Sequence, residues 1–292
     1  MIRRIVGWIV ALGVLVAIAI AVAGCGEDPQ GVAERTGTAI DTGMEHVHAV
    51  GVDPGDGAVM LATHAGLFRL ADGMSEPERV GDLQQDTMGF TIIGPGRYLG
   101  SGHPDLRTDL PPLLGLISSD DGGVSWTPVS LLGEADFHIL RASGTRVAGV
   151  DSHSGALMVS DDSGASWTRR SAPPDLVDLV VDPARPDVFV ATTATGTVVS
   201  RDTGRTWTAV PGGAPALLTW PERGDLHRVT GVGVVWSSPD GGATWKRRGQ
   251  VTGRPSALGS GGPGHLVVVT HEGQLIESRD GGETWVSRAV LA

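Results

Sequence analysis

"SDDGGVSW" (Ser119–Trp126) returns four times along the chain. The copies are "SDDSGASW" (Ser160–Trp167), "SRDTGRTW" (Ser200–Trp207), "SPDGGATW" (Ser238–Trp245) and "SRDGGETW" (Ser278–Trp285). The closing tryptophans, Trp126, Trp167, Trp207, Trp245 and Trp285, are separated by 41, 40, 38 and 40 residues. A fixed period of this size belongs to solenoids, propellers or arrays. What fills each period decides among them. After Trp167 come "LVDLVVDP", "DVFVATTATG", "TVVSRDTG" and "TWTAVPGG", four short β-branched runs punctuated by Gly, Pro and Asp. Four strands per repeat make one propeller blade.

Five octets predict five blades, the first of them over Met88–Val129. Upstream, "HVHAVGVDP", "AVMLATHAG" and "GLFRLADG" repeat the same strand order without an octet, which adds a sixth blade at the front. The reading is an all-β, six-bladed β-propeller of four-stranded blades over residues 44–292. Whether residues 36–40 add a ring-closing strand stays open. Within each blade the octet falls between the third and fourth strands. Its Asp (Asp121, Asp162, Asp202, Asp240, Asp280) is placed to accept hydrogen bonds from turn N–H groups. The second of its two turn positions before the next side chain (Gly123, Gly164, Gly204, Gly242, Gly282) suits a positive φ. The Ser or Thr before the Trp is expected to bond across the hairpin, and the Trp to bury its face against its own blade. Turn geometry and packing account for every residue type, so the octets read as structural clips.

The pattern Ser-x-Asp-x-Gly-x-Ser/Thr-Trp resembles the Asp-box, or BNR repeat, of sialidase-like propellers. In those propellers the boxes lie on the rim opposite the active face. The set "HVHAVGVDP", "THAGLFR", "MGFTIIGPG", "SGHPD", "GLISSDDGG" and "ADFHIL" also looks like a family of bacterial secreted or lipoprotein Asp-box propellers, often labelled glycosyl hydrolase by fold. The resemblance covers most of residues 45–292. It implies the propeller fold and transfers little chemistry.

Ahead of the repeats, Arg3 and Arg4 precede an unbroken apolar run from Ile5 to Val22, followed by "VAGC" (Val22–Cys25). A basic head, an apolar stretch and small residues form an export signal. The small residues ending in the single cysteine of the chain resemble the lipobox of bacterial lipoproteins. That implies a signal peptide over 1–24, a lipid anchor on Cys25, a flexible tether over 25–43 and a place on the outer side of the bacterial cell membrane. An uncut transmembrane helix is the alternative. The net charge of −11 and the absence of a basic stripe exclude nucleic acid as a partner.

If each blade runs A, B, C, D from the centre outward, the octets share one face. The B–C loops and D–A connections share the other, where function is expected. His64 and His103 fall at B–C loops of blades 1 and 2, and His153 and His271 at the same place in blades 3 and 6. His46 and His48 open strand A of blade 1, two residues apart and so expected on one side. His138 opens strand A of blade 3. His227 and His265 fall on the octet side. His46, His48, His64, His103 and His138 are therefore the candidate ligands of a Zn or Cu site at the channel mouth, joined by Asp105, Asp136 or Glu134. No short metal motif such as HExxH accompanies them.

Two functions compete. A sialidase-like glycosidase needs an arginine trio, a Tyr–Glu pair and an acidic residue. Tyr98 is the only tyrosine and falls on the wrong side, and Arg107, Arg141 and Arg69 are the only arginines near the right face. Asp86, Asp105, Asp136 and Glu134 are the carboxylates available for a two-carboxylate mechanism, with Asp105 and Asp136 the foremost catalytic candidates. The preferred reading is a surface-anchored binding scaffold that presents the histidine-bearing face to a protein, glycan or metal. It resembles propellers that serve as photosystem assembly factors and needs no missing residue.

Overall fold

The computed structural model describes Met44 and residues 46–291; Cys25, the apolar leader and the tether lie outside the described residues. The described residues form 24 strands and no helix. They are grouped into six four-stranded antiparallel sheets, over residues 47–79, 86–130, 137–171, 176–210, 216–250 and 255–290. Each sheet pairs its strands in chain order, A to D. All six are complete from their own strands, so the ring closes between blade 6 and blade 1 without strand exchange among the described residues. A seam of contact does that work. Val47, Val50, Leu61, Phe68 and Leu70 of blade 1 bury themselves against Ala257, Val267, Val269 and Leu275 of blade 6. Outside this core, Arg279 and Arg288 of blade 6 flank Asp72 of blade 1. At Gly259 the strands of the seam approach so closely that a Cβ would collide with the Val50 carbonyl oxygen, which only glycine avoids.

Every octet lies between strands C and D, and its geometry is the same each time. Ser119 Oγ donates to Asp121 Oδ1 at 2.8 Å and accepts from Gly123 N at 2.8 Å. Asp121 accepts from Ser125 N at 3.0 Å and Ser125 Oγ at 2.6 Å. The hydroxyl before the Trp thus closes the turn onto the Asp and does not reach across the hairpin, because the turn folds back on its own carboxylate. Gly123, Gly164, Gly204, Gly242 and Gly282 all have φ between 78° and 91°. The preceding position is left-handed too, and in two octets it is filled by Ser163 (φ 61°) and Thr203 (φ 60°) in place of glycine.

The tryptophans correct a second expectation. Each packs between its own blade and the preceding one. Trp126 of blade 2 lies against Ala58, Met60 and Leu67 of blade 1 as well as Phe90 and Tyr98 of its own blade. Trp207 of blade 4 lies against Leu157 and Val159 of blade 3 and Phe189 of blade 4. Sheets bury apolar surface face to face, so the interface between blades, not the blade, is the unit of the core. Six such interfaces exist. Five carry an octet tryptophan, and at the blade 6–blade 1 seam Phe68 is the aromatic core residue.

Candidate functional site

The repeating feature that builds the histidine-bearing face is a bulge at the start of strand A. In blade 1, Val47 pairs with Thr63 and Ala49 with Ala62, leaving His48 as the extra residue. In blade 2, Thr87 pairs with Gly102 and Gly89 with Ser101, leaving Met88. In blade 3, Phe137 pairs with Asp151 and Ile139 with Val150, leaving His138. A bulge re-aims the side chain it inserts. The residue just before this paired position is His46, Asp86 and Asp136 in blades 1, 2 and 3. The residue just beyond the strand-B partner is His64, His103 and Ser152. His153, expected beside His64 and His103, is therefore one residue out of register, and Ser152 takes the place. His271 of blade 6 does hold it, donating its backbone N–H to the Arg254 carbonyl as Ser152 does to that of Asp136.

Around the first interface three side chains converge. His64 Nδ1 is 2.9 Å and His48 Nε2 3.3 Å from Asp86 Oδ1, and the two nitrogens are 3.2 Å apart. At most one nitrogen of the pair can donate to the other. Asp86 Oδ1 is buried and receives no well-directed hydrogen bond. Burial works to raise the Asp86 carboxyl, and the two imidazoles outweigh it and hold it below its ordinary value. Ligands about 2.1 Å from a tetrahedral ion lie about 3.4 Å apart. The three separations sit close to that edge length, so His48, His64 and Asp86 fit a single transition-metal ion. His46 stacks edge-on with His64 at 5.2 Å between ring centroids. It lines a separate cavity of about 250 Å³ with His48, Ser256 and His271 at the seam of blades 6 and 1.

One interface further round, His138 Nε2 lies 2.8 Å and His103 Nε2 3.7 Å from Asp136 Oδ2. Ser152 Oγ donates to the same oxygen at 2.7 Å. The hydrogen bond to Asp136 raises His138 above its ordinary value, against the opposing effect of burial. The five sequence-predicted histidines thus lie on blades 1 to 3 and meet as two neighbouring groups, not as one. Asp86, overlooked as a partner of the imidazoles, joins the first. No spacing signal pointed to it, since it belongs to the next blade. Asp105 joins neither. Its carboxylate is taken up by the Arg107 guanidinium and by the backbone N–H of Gln84 and Arg107, which hold it well below the usual range. Glu134 is exposed.

The remaining glycosidase candidates are committed elsewhere. Arg107 pairs with Asp105, Arg141 with Asp178 at 2.8 Å, and Arg69 with Asp56 at 2.5 Å, so the three form no common carboxylate clamp. Tyr98 is buried and donates to Asp53. Asp86, Asp105 and Asp136 are all held below their ordinary values, the opposite of what a general acid requires. A cavity of about 510 Å³ lies in the central channel, lined by strand A of every blade. Pro54, Gly144, Pro183 and Pro221 of the A–B connections stand at its rim, so it opens on the octet face, and no histidine lines it.

The sequence matches no protein-family model and no curated protein. Solved structures do resemble it. A chain of a nidogen/laminin complex has a TM-score of 0.55 at 14% identity, over 75% of this chain and 88% of that one. A GH74 xyloglucanase from Xanthomonas campestris has a TM-score of 0.50 at 18% identity, over 82% of this chain and 44% of the enzyme. YCF48 from Cyanidioschyzon merolae has a TM-score of 0.44 at 14% identity, over 69% of this chain and 84% of that one. The likeness is one of fold. The neighbours are β-propellers that include both a glycosidase and a protein found in a protein complex, and such a scaffold carries either kind of work. The chain spans less than half the length of the xyloglucanase.

Proposed function

We propose that the protein is a lipid-anchored binding scaffold of the Asp-box propeller type, which presents its histidine-bearing face to a partner protein and holds a Zn or Cu ion there. The observation that carries the reading is the convergence of His48 Nε2, His64 Nδ1 and Asp86 Oδ1 within 2.9–3.3 Å of one another. Three protein ligands leave a tetrahedral ion one open position, which a donor group of the partner would fill. The ion would supply a fixed positive charge on a chain whose net charge is −11. A protein partner agrees with the fold-level likeness to a chain of the nidogen/laminin complex. The anchor rests on the lipobox-like "VAGC" ending at Cys25.

The test is elemental analysis of the full chain, purified in detergent without a histidine tag. Zinc or copper should be retained, and His64→Ala should release the ion held by this triad. Metal content unchanged by that substitution, or none after zinc and copper addition, would refute the metal reading. Hydrolysis of a fluorogenic sialoside that Asp105→Asn or Asp136→Asn abolishes would restore the glycosidase reading.

A further inference from the structure

The blades repeat, so the His48–His64–Asp86 triad can be rotated by one blade. It is built from three positions: the bulge residue of strand A, the residue after the strand-B partner, and the residue just before the pair that precedes the bulge in the next blade. One blade on, the strand register puts Met88, His103 and Asp136 at those positions. The central pair survives the rotation. His64 faces Asp86 at 2.9 Å, and His103 faces Asp136 at 3.7 Å.

The second pair has an unmet demand. His103 Nδ1 lies 2.9 Å from the Pro112 carbonyl oxygen, to which it must donate. Nε2 of the neutral ring therefore turns its lone pair toward Asp136. A backbone carbonyl fixing the far nitrogen is the usual support of a metal-binding histidine. Asp136 is 4% exposed, and the oxygen it turns to His103 is Oδ2. His138 and Ser152 hold the carboxylate in place through Oδ2. A separation of 3.7 Å is too long for a hydrogen bond, and two lone pairs do not attract. An ion about 2.0–2.2 Å from each atom spans that distance at a wide tetrahedral angle.

We propose that His103 and Asp136 hold a second transition-metal ion, one blade round from the first, with His138 and Ser152 as positioning residues. The two sites are immediate neighbours, because Asp86 and His103 are directly paired across strands A and B of blade 2. The proposal rests on different ligands from those of the first site and stands or falls separately. Met88 occupies the place that His48 holds in the first site, so the second has one imidazole fewer and should be the weaker.

Titration of the full chain with Co²⁺, read by visible absorption and by equilibrium dialysis, tests it. Wild type should take up two equivalents, the weaker lost in His103→Ala and in Asp136→Asn and retained in His64→Ala. Even an outer-shell partner is worth roughly 10–100-fold in affinity. Met88→His, which completes the rotated triad, should tighten the weaker site by at least that range. His153→Ala, on the same face but out of register, should change nothing. Uptake of one equivalent that His103→Ala leaves untouched would end the proposal. Failure of Met88→His to tighten binding, in a variant of unchanged melting temperature, would count against it equally. Loss of uptake in His103→Ala with none in His64→Ala would sink the first site and leave the second standing.

Discussion

Tyr98→Phe removes one oxygen from the joint between blades 1 and 2, and its cost can be worked from the contacts. The Tyr98 hydroxyl donates to Asp53 Oδ2 at 2.5 Å. Asp53 sits in the A–B turn of blade 1, where Oδ1 also accepts from Gly55 N at 2.7 Å and Oδ2 from Gly96 N of blade 2 at 2.8 Å. The ring packs edge-on against Phe90 at 5.3 Å, a contact that the variant's phenyl ring would keep. Burial first, and Asp53 second, push the phenol ionisation far upward, so the group is a neutral donor at any ordinary pH. A buried hydrogen bond to a charged acceptor contributes about 1.5–3 kcal/mol. Asp53 keeps its two backbone donors in the variant, so the lower end applies, about 1.5–2 kcal/mol. For a domain of this size that is about 3–8 °C in Tm by calorimetry. Asp53→Ala should cost more, because it strands two backbone N–H groups as well as the hydroxyl. The double variant should fall short of the sum of the singles by about 1.5–2 kcal/mol, the coupling of the pair. A Tyr98→Phe protein within about 0.5 kcal/mol of wild type, or strict additivity, would refute this account of how neighbouring blades are held.

Zinc or copper at a hundredfold excess over its dissociation constant should stabilise the protein by about 2.7 kcal/mol, or about 5–11 °C in Tm. His48→Ala/His64→Ala should abolish the part due to the first site; an equal shift in that variant contradicts the ligand set. The octet carboxylates bear on acid stability. Ser166 and Ser160 hold Asp162 down at about 2, against an ordinary 3.8. A depressed carboxylate stabilises the fold above its ordinary value and loses that contribution as pH falls toward 2. Asp162→Asn should therefore lower the urea midpoint at pH 7 and differ little from wild type near pH 2; a gap that persists at pH 2 would argue against the charge as its origin. Gly259→Ala should destabilise the seam of blades 6 and 1 by at least about 1–3 kcal/mol, since backbone must move to admit the methyl. A neutral effect on Tm would mean that the seam is not close-packed there.

How far the site was legible depends on which kind of information each residue carries. The octets were readable because turn chemistry is local: a Ser, an Asp, a Gly and a Ser or Thr within eight residues satisfy one another. The candidate ligands His48 and His64 could be singled out because both lie in one blade. Their carboxylate could not, because Asp86 comes from the next blade and lies 22 residues beyond His64. His153 does lie in the B–C loop of blade 3, but that loop runs over residues 152–155 where blade 1 has only 64–65, so Ser152 takes the place that His64 holds. Asp105 had the right loop and the wrong neighbour, Arg107, which occupies it.

The amino-acid sequence alone determined the blade number, the strand order and the octet positions. Each is written in a period of about 40 residues and needs no contact beyond the repeat. The tertiary structure alone decided that tryptophans bridge blades, that the central cavity opens on the octet face, and that five histidines divide into two groups around Asp86 and Asp136. Those outcomes depend on how one sheet meets the next. The bulge and the inter-blade rotation set that meeting, and neither leaves a mark within a single repeat.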